Sequence, residues 1–284
     1  RSITATESLV FARHARNSKR PLRRARPLRS DTAPRGGLLK RASVQEEVEK
    51  AIGTITQTKI DSIVAGRTDA GVHATGQVIH VDVPESINLD EIAYKLNRIL
   101  DEDVRINQIQ IAPRAFHARF SALRRHYEYR ILDENKVITP LSRFNTAPWY
   151  RGLDVDQMNH ASALLLGTHD FAAFCKFREG ATTIRTLENY KWRRDNDGYL
   201  VGDVVADAFC YSMVRNLVGA IVCVADGRKA SDWISTLLEN KERVSDSMVF
   251  PARGLSLYKV GYPEAPELLE RAAKNVARHE EESN

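Results

Sequence analysis

Residues 64 to 83 read Val64-Ala-Gly-Arg-Thr-Asp-Ala-Gly-Val-His-Ala-Thr-Gly-Gln-Val-Ile-His-Val-Asp-Val83, two apolar runs that enclose a polar, glycine-rich loop. The first run predicts a short strand over residues 62 to 66 that enters the loop. The second predicts a strand over residues 77 to 83 that leaves it, since its apolar residues alternate along one face. The sequence therefore predicts a polar loop held between two strands.

The loop carries one acid, Asp69, two residues after Arg67. Three glycines, Gly66, Gly71 and Gly76, are expected to allow backbone conformations or close approaches that a side chain would block. A nearby guanidinium favours the charged form of a carboxylate, and an ionised carboxylate on a loop is a candidate nucleophile or general base. The alternative is a turn-forming Asp that bonds its own backbone. The residues alone leave both interpretations open.

The composition is that of an ordinary globular protein. With 284 residues, 43% of them hydrophobic and 28% charged, the chain is long enough for two compact units. No apolar run approaches the roughly 18 residues of a membrane helix, and no secretory segment is apparent, so we expect a cytoplasmic location without membrane contact. Cys175, Cys210 and Cys223 are odd in number and lack C-x-x-C spacing, which predicts reduced thiols and no disulfide framework or zinc cluster.

The basic charge is concentrated at the start of the chain. Residues 1 to 41 hold 12 Lys or Arg and two acidic residues, a net charge of +10, whereas the other residues hold 30 basic and 35 acidic residues, a net charge of −5. An RNA-binding surface in the remainder must therefore be a local cleft. Residues 1 to 41 also lack sustained periodicity and are predicted to be a disordered basic segment. Two interpretations stay open: a tail that binds phosphates without sequence preference, and a stretch foreign to the native protein.

The remaining pattern predicts two successive strand-helix units. In the first, Ser43-Val-Gln-Glu46 is a capping-box signature for a helix over residues 43 to 55, and a helix from residue 88 precedes a strand over residues 105 to 111. In the second, a helix capped by Asp154, a hairpin turn at Asp197-Gly198 and an apolar helix from residue 209 precede a closing strand. The predicted boundaries are 42 to 114, 115 to 263, and a charged tail over 264 to 284.

Two further groups of residues have more than one interpretation. Residues 116 to 129 interleave basic and aromatic side chains. The residues alone slightly favour a strand with Tyr127 and Tyr129 on a buried face over a base-stacking platform beside a phosphate-contacting edge. Arg215 lies in an apolar helix, where it either extends to the surface or pairs with a carboxylate, because buried arginine is uncommon unless it is paired.

Other kinds of site have little support. Gly66 and Gly71 flank four residues, as in a phosphate-binding P-loop, but Val72-His73 stands where Lys followed by Ser or Thr is required. No dinucleotide-binding fingerprint is present. Four potential metal ligands have no recognised spacing: Asp69, His73, His80 and Asp82.

Gly66-Arg-Thr-Asp-Ala-Gly-Val-His-Ala74, followed by Gly76-Gln-Val78, closely resembles the active-site motif of the tRNA pseudouridine synthase A family. Blocks at residues 119 to 122, 170 to 174 and 213 to 216 are similar to family stretches as well, and the resemblance extends from about residue 43 to residue 262. It implies an α+β pseudouridine synthase fold, in which two ferredoxin-like halves adjoin their antiparallel sheets around an active cleft. It also implies a homodimer that isomerises uridines at positions 38 to 40 of the tRNA anticodon stem-loop, with no metal or organic cofactor.

The resemblance implies roles for four residues. Asp69 is the catalytic residue, either as nucleophile or as the base that starts glycosidic cleavage. Tyr127 would stack on the flipped target base, while Arg67 would fill the gap that the base leaves in its stack. Arg215 would pair with Asp69 and orient it.

The chain departs from the family at the first strand. Family members begin with a strand carrying Tyr-Asp-Gly and then Gly-Trp-Gln, and neither stretch precedes Ser43 here. Loss of this central strand would leave neighbouring backbone groups without partners. An inactive RNA-binding remnant is therefore an alternative function. A hydrolase that uses Asp69 on another glycosidic bond is a third, although it lacks the second carboxylate that such chemistry usually employs.

Overall fold

The computed structural model describes residues 6–16, 43–84, 87–113, 116–178, 181–241, 248–264 and 267–268, with side chains from residue 43 onward. Within these ranges the strands are β1 (Thr6–Arg16), β2 (Ser62–Val64), β3 (His73–Pro84), β4 (Val104–Ile111), β5 (Arg124–Leu132), β6 (Ala147–Pro148), β7 (Gly167–Asp170), β8 (Ile184–Arg194), β9 (Leu200–Ala206) and β10 (Leu255–Gly261). The helices are α1 (Val44–Thr56), α2 (Leu89–Ile99), α3 (Val155–Ala163), α4 (Met213–Ala225) and α5 (Asp232–Asn240).

The strands join one mostly antiparallel sheet that repeats a single topology. In the first half, β1-α1-β2-β3-α2-β4 pairs in the order β4-β1-β3-β2. In the second half, β5-α3-β8-β9-α4-β10 pairs in the order β10-β5-β9-β8, and β7 extends its edge. Both are the βαββαβ arrangement of a ferredoxin-like fold. The predicted α+β fold class is confirmed, whereas the boundaries near residues 114 and 263 stay predictions.

The prediction of disorder over residues 1 to 41 is wrong for residues 6 to 16. These residues form β1, which pairs antiparallel with β3 on one side and with β4 on the other. The physical reason is that β3 and β4 each present a row of backbone groups that needs partners, and the apolar run Leu9-Val-Phe-Ala12 suits a buried strand. The central strand predicted to be missing is therefore present with another sequence. The rest of the predicted segment lies outside the described residues.

Two main apolar cores pack against the sheet, one within the first half and a larger one that lies mostly in the second half and extends to the start of β3. In the first half, Val48 and Ile52 of α1 and Leu96 of α2 are fully buried against Ile79 of β3. The predicted capping box is confirmed, because the Ser43 hydroxyl accepts from the Glu46 N–H and the Glu46 carboxylate accepts from the Ser43 N–H. The larger core of the second half packs α3 and α4 on the sheet. The predicted tail from residue 264 lies almost wholly outside the described residues.

A short parallel contact between β3 and β10 joins the two halves. His73 pairs with Ser256 and Ala74 with Leu257. Gly76 permits this approach, since a Cβ atom there would lie 2.0 Å from the carbonyl oxygen of Tyr258. Because β3 begins directly after the polar loop, this junction places the loop against the second half.

The prediction of unpaired cysteine thiols is wrong for two of the three residues. Cys175 and Cys210 form a disulfide, with their Cα atoms 5.7 Å apart and a sequence separation of 35. The fold aligns the two segments, since the Lys176 N–H donates to the carbonyl of Tyr211 at 3.0 Å. Spacing rules did not anticipate a pair that tertiary structure brings together. Cys223 is buried in α4, outside this disulfide.

Candidate active site

The polar loop between β2 and β3 is held at its base by a buried glutamine. Gln77 donates from Nε2 to the carbonyl of Gly66 at 2.6 Å and accepts from the Gly66 N–H at 3.3 Å. Within the loop, the Val72 N–H donates to the carbonyl of Asp69 at 3.1 Å, and Gly71 has φ +89°, a conformation that favours glycine. The loop therefore presents Asp69 from a tight turn on a fixed base.

Asp69 forms an ion pair with Arg215 across the junction of the halves. Arg215 Nη1 donates to Asp69 Oδ2 at 2.9 Å, and the side chains are only 19% and 15% exposed, respectively. Arg215 Nε also donates to the carbonyl of Phe250 at 2.8 Å. The guanidinium is thus anchored on α4 and paired with a carboxylate, and it does not extend freely to the surface. The structure contains the contact that the resemblance implied.

Ser212 is a second donor to the same carboxylate oxygen, and it was not predicted. Its Oγ donates to Asp69 Oδ2 at 2.9 Å. Ser212 directly precedes α4 and has φ 62° and ψ 10°, a left-handed conformation. The prediction began this helix at residue 209, which hid the serine inside a helix. A serine three residues before an arginine at a helix start is the signal that would have placed both side chains on one face.

Tyr127 lies on β5 with its ring in the wall of the cleft. Its side chain is buried, and its ring contacts that of Phe209 edge to face, with centroids 5.1 Å apart. Burial raises the pKa of Tyr127 to about 12, and the charge of Asp69 adds to this rise while Arg125 opposes it. The phenol is therefore protonated at neutral pH. The buried-strand interpretation of Tyr127 and Tyr129 is confirmed, and Tyr127 nevertheless borders the cleft.

The cleft around Asp69 has a volume of about 720 Å³ and a basic lining. Arg125 is buried in its wall, where it donates to four backbone carbonyls, including those of Ala65 and Asp207. Burial lowers the pKa of Arg125 below the usual arginine value. Among the described residues of the lining, Asp69 is the one acid, and six arginines surround it: Arg67, Arg119, Arg125, Arg178, Arg185 and Arg215.

Arg67, Gly66 and His80 were also singled out from the sequence, and each has a different environment in the structure. Arg67 borders the cleft and is exposed, with no ion-pair partner among the described residues. The expectation for Gly66 is wrong, because an added Cβ atom would meet nothing nearer than 3.9 Å and φ is not positive. His80 Nδ1 accepts from the Ala118 N–H at 3.0 Å. Within the described ranges, no group of three or more His, Cys, Asp or Glu side chains is arranged to hold a metal ion.

Comparisons with known proteins identify the family. A family model described as tRNA pseudouridine synthase matches residues 161–263. The tRNA pseudouridine synthase A of Cutibacterium acnes is 47% identical over 242 residues, which cover 84% of this chain and 87% of the relative. This chain belongs to the tRNA pseudouridine synthase A family. The relative from Frankia casuarinae is 50% identical, with 81% of this chain and 84% of the relative covered.

Two further features of this family member follow from the described residues. No helix among them is long and apolar enough to cross a membrane.

Asp69, Arg215 and Ser212 form one hydrogen-bonded cluster, and Tyr127 and Arg67 border the same cleft. The four residues chosen from sequence thus share one site.

Proposed function

We propose that this protein isomerises uridine to pseudouridine in tRNA, at positions 38 to 40 of the anticodon stem-loop, with Asp69 as the nucleophile. The single observation that carries the proposal is the Asp69 carboxylate, held by Arg215 at 2.9 Å in an arginine-lined cleft beside the Tyr127 ring. The relatives named tRNA pseudouridine synthase A support the substrate class.

The proposed reaction needs an ionised carboxylate and no redox partner. Asp69 attacks C1′ of the target uridine, so that a C1′–O bond to the carboxylate forms as the N1–C1′ bond breaks and its electron pair leaves on the uracil ring. The detached ring then turns so that C5 faces C1′. The C1′–C5 bond then forms, the carboxylate is released, C5 loses its proton and N1 gains one. Atoms and electrons therefore balance within the substrate and water. Arg215 balances the charge of the Asp69 carboxylate before the attack and after its release, and it keeps the side chain oriented.

The uridine must leave its stack before Asp69 can reach it, which costs a few kcal/mol. A cleft of about 720 Å³ falls in the usual range for a small-ligand site. Tyr127 offers a ring for stacking and, being protonated at neutral pH, a hydrogen-bond donor for the base. Arg67 lines the cleft and is exposed, which supports the proposal that its side chain fills the gap in the RNA stack.

The arginine lining supplies a local basic surface for RNA, although residues 42 to 284 together carry a net charge of −5. Guanidinium groups bind phosphates bidentately and stack on bases. Binding through such contacts weakens steeply with salt, because counterions are released from the RNA. The resemblance further implies a homodimer as the working form, which the molecular mass in solution would test. A cytoplasmic location stays a prediction from the sequence, which fractionation of cells would test.

Tritium release from tRNA labelled at uridine C5 tests the proposal. We expect release by the wild type and none above background from Asp69→Asn, which keeps the shape of the side chain without its charge. Asp61→Asn is the matched control, because the Asp61 side chain is 84% exposed next to β2 and forms an ion pair with Lys59, which is exposed as well. It is expected to release tritium at the wild-type rate.

Two other outcomes would contradict the proposal. Salt-sensitive tRNA binding by the folded wild type, without tritium release, would favour the RNA-binding remnant. Free uracil in the reaction would favour a hydrolase. The presence of β1 removes the structural ground for the remnant, since the first half has its central strand.

A further inference from the structure

Ser212 occupies a position whose geometry differs from that of an ordinary helix-capping serine. It is the residue before α4, where serine usually accepts a hydrogen bond from the first turn. Here the side chain makes no such capping bond. Its Oγ instead donates to Asp69 Oδ2 at 2.9 Å. The hydroxyl therefore donates a hydrogen bond to the carboxylate of the polar loop and does not cap α4.

The backbone of Ser212 has a left-handed conformation that is unfavourable for serine, and in this conformation its hydroxyl reaches Asp69. Non-glycine residues seldom adopt the left-handed region, which persists where the surroundings enforce it. The carbonyl of Ser212 accepts from both the N–H and the Nδ2 of Asn216, and Asn216 Nδ2 also donates to the carbonyl of Phe174 at 2.8 Å. Asn216 is fully buried. A buried amide therefore holds the backbone turn that directs Ser212 toward Asp69.

Ser212 and Arg215 approach a single oxygen atom from one end of α4. Residues three apart at a helix start lie on one face, and both donors are 2.9 Å from Asp69 Oδ2. A carboxylate that is held by a single donor can rotate about that hydrogen bond. Two donors that approach from different side chains restrict the rotation of the carboxylate plane. The positive end of the helix dipole favours the same negative charge.

Resting on the proposed function, we infer that Ser212 is a positioning residue that fixes the plane of the Asp69 carboxylate for attack. It acts through Asp69 and need not touch the substrate. Removal of the hydroxyl is therefore expected to slow the chemical step while substrate binding is retained. If Ser212 instead acted only through its backbone conformation, loss of the hydroxyl would not change the rate of the chemical step.

The variant Ser212→Gly removes the hydroxyl and retains the backbone conformation, because glycine adopts positive φ without strain. We expect kcat for tritium release to fall about 10- to 100-fold, the range for a lost hydrogen bond to a charged group, with KM within about 2-fold of wild type. The melting temperature is expected to stay equal or to rise. Ser231→Gly is the matched control, since Ser231 precedes α5 and also makes no side-chain capping bond; its kcat is expected to equal that of wild type.

Ser212→Asn provides a rescue, since asparagine tolerates the left-handed region and carries a donor. We expect its kcat to exceed that of Ser212→Gly. The inference would be overturned if Ser212→Gly had the kcat of the wild type, or if Ser212→Asn were no faster than Ser212→Gly. Either result, obtained beside an active wild type, would leave the proposed function intact. An inactive wild type would instead overturn the proposed function.

Discussion

Arg215 Nη1 lies 2.9 Å from Asp69 Oδ2, although the sequence separation of the two residues is 146. Asp69 comes from the loop before β3 in the first half, and Arg215 from the start of α4 in the second. Neither half contains the complete cluster. The site therefore exists only when the β3–β10 junction is formed.

Substitution of Arg215 is expected to slow catalysis more than it weakens binding. Arg215→Lys keeps a positive charge but loses the separate Nε contact to the carbonyl of Phe250, so the charge is no longer held in place. We expect kcat for tritium release to fall about 100-fold, equivalent to about 2.7 kcal/mol. Arg98→Lys, on the exposed side of α2, is the control. Equal rates for the two variants would contradict the role of the ion pair.

Ionisation of Tyr127 is expected to destabilise the fold at high pH. Its pKa is about 12 in the folded protein and about 10 in an unfolded chain. Above pH 10 the unfolded state loses the proton first, so the free energy of unfolding falls between pH 10 and 12, by up to about 3 kcal/mol from this residue. Urea unfolding at each pH should show a shallower fall for Tyr127→Phe than for wild type. Tyr94→Phe, at an exposed residue, should follow wild type, and identical profiles for all three proteins would contradict the prediction.

The stability of the protein is expected to depend on the backbone hydrogen bonds of β1. Val10 lies mid-strand, paired with His80 of β3 and Gln110 of β4. Proline there removes a ladder donor in a central strand and leaves its acceptor without a partner, so we expect a loss of about 1 to 3 kcal/mol relative to Val10→Ala, which keeps the N–H. Denaturant unfolding of the two variants measures the difference. Equal stabilities would show that residues 6 to 16 do not pair centrally.

Reduction of the Cys175–Cys210 disulfide is expected to destabilise the protein. Opening a loop with a sequence separation of 35 residues should cost about 4 kcal/mol by the chain-entropy estimate. Chemical unfolding with and without dithiothreitol measures this loss. Cys175→Ala lacks the bond, so its stability should not respond to the reductant. A wild type that is equally insensitive would show that the bond contributes nothing.

Sequence patterns predicted local structure better than long-range pairing. The capping box at Ser43 and the buried alternation of Tyr127 and Tyr129 were correct, because both depend on neighbours a few residues away. The strand β1 was missed because its short apolar run lies among arginines, and its partners begin almost 60 residues later. The contact of Ser212 with Asp69 depends on a backbone turn that only tertiary packing enforces.

The most direct test of the proposed function is the nucleoside composition of unmodified tRNA after incubation with the wild-type protein. The tRNA would be hydrolysed completely, uridine and pseudouridine separated by chromatography, and the modified positions mapped. The proposed chemistry predicts a loss of uridine matched by an equal gain of pseudouridine, confined to positions 38 to 40 and absent with Asp69→Asn. Unchanged uridine with bound tRNA, or free uracil in place of pseudouridine, would contradict it.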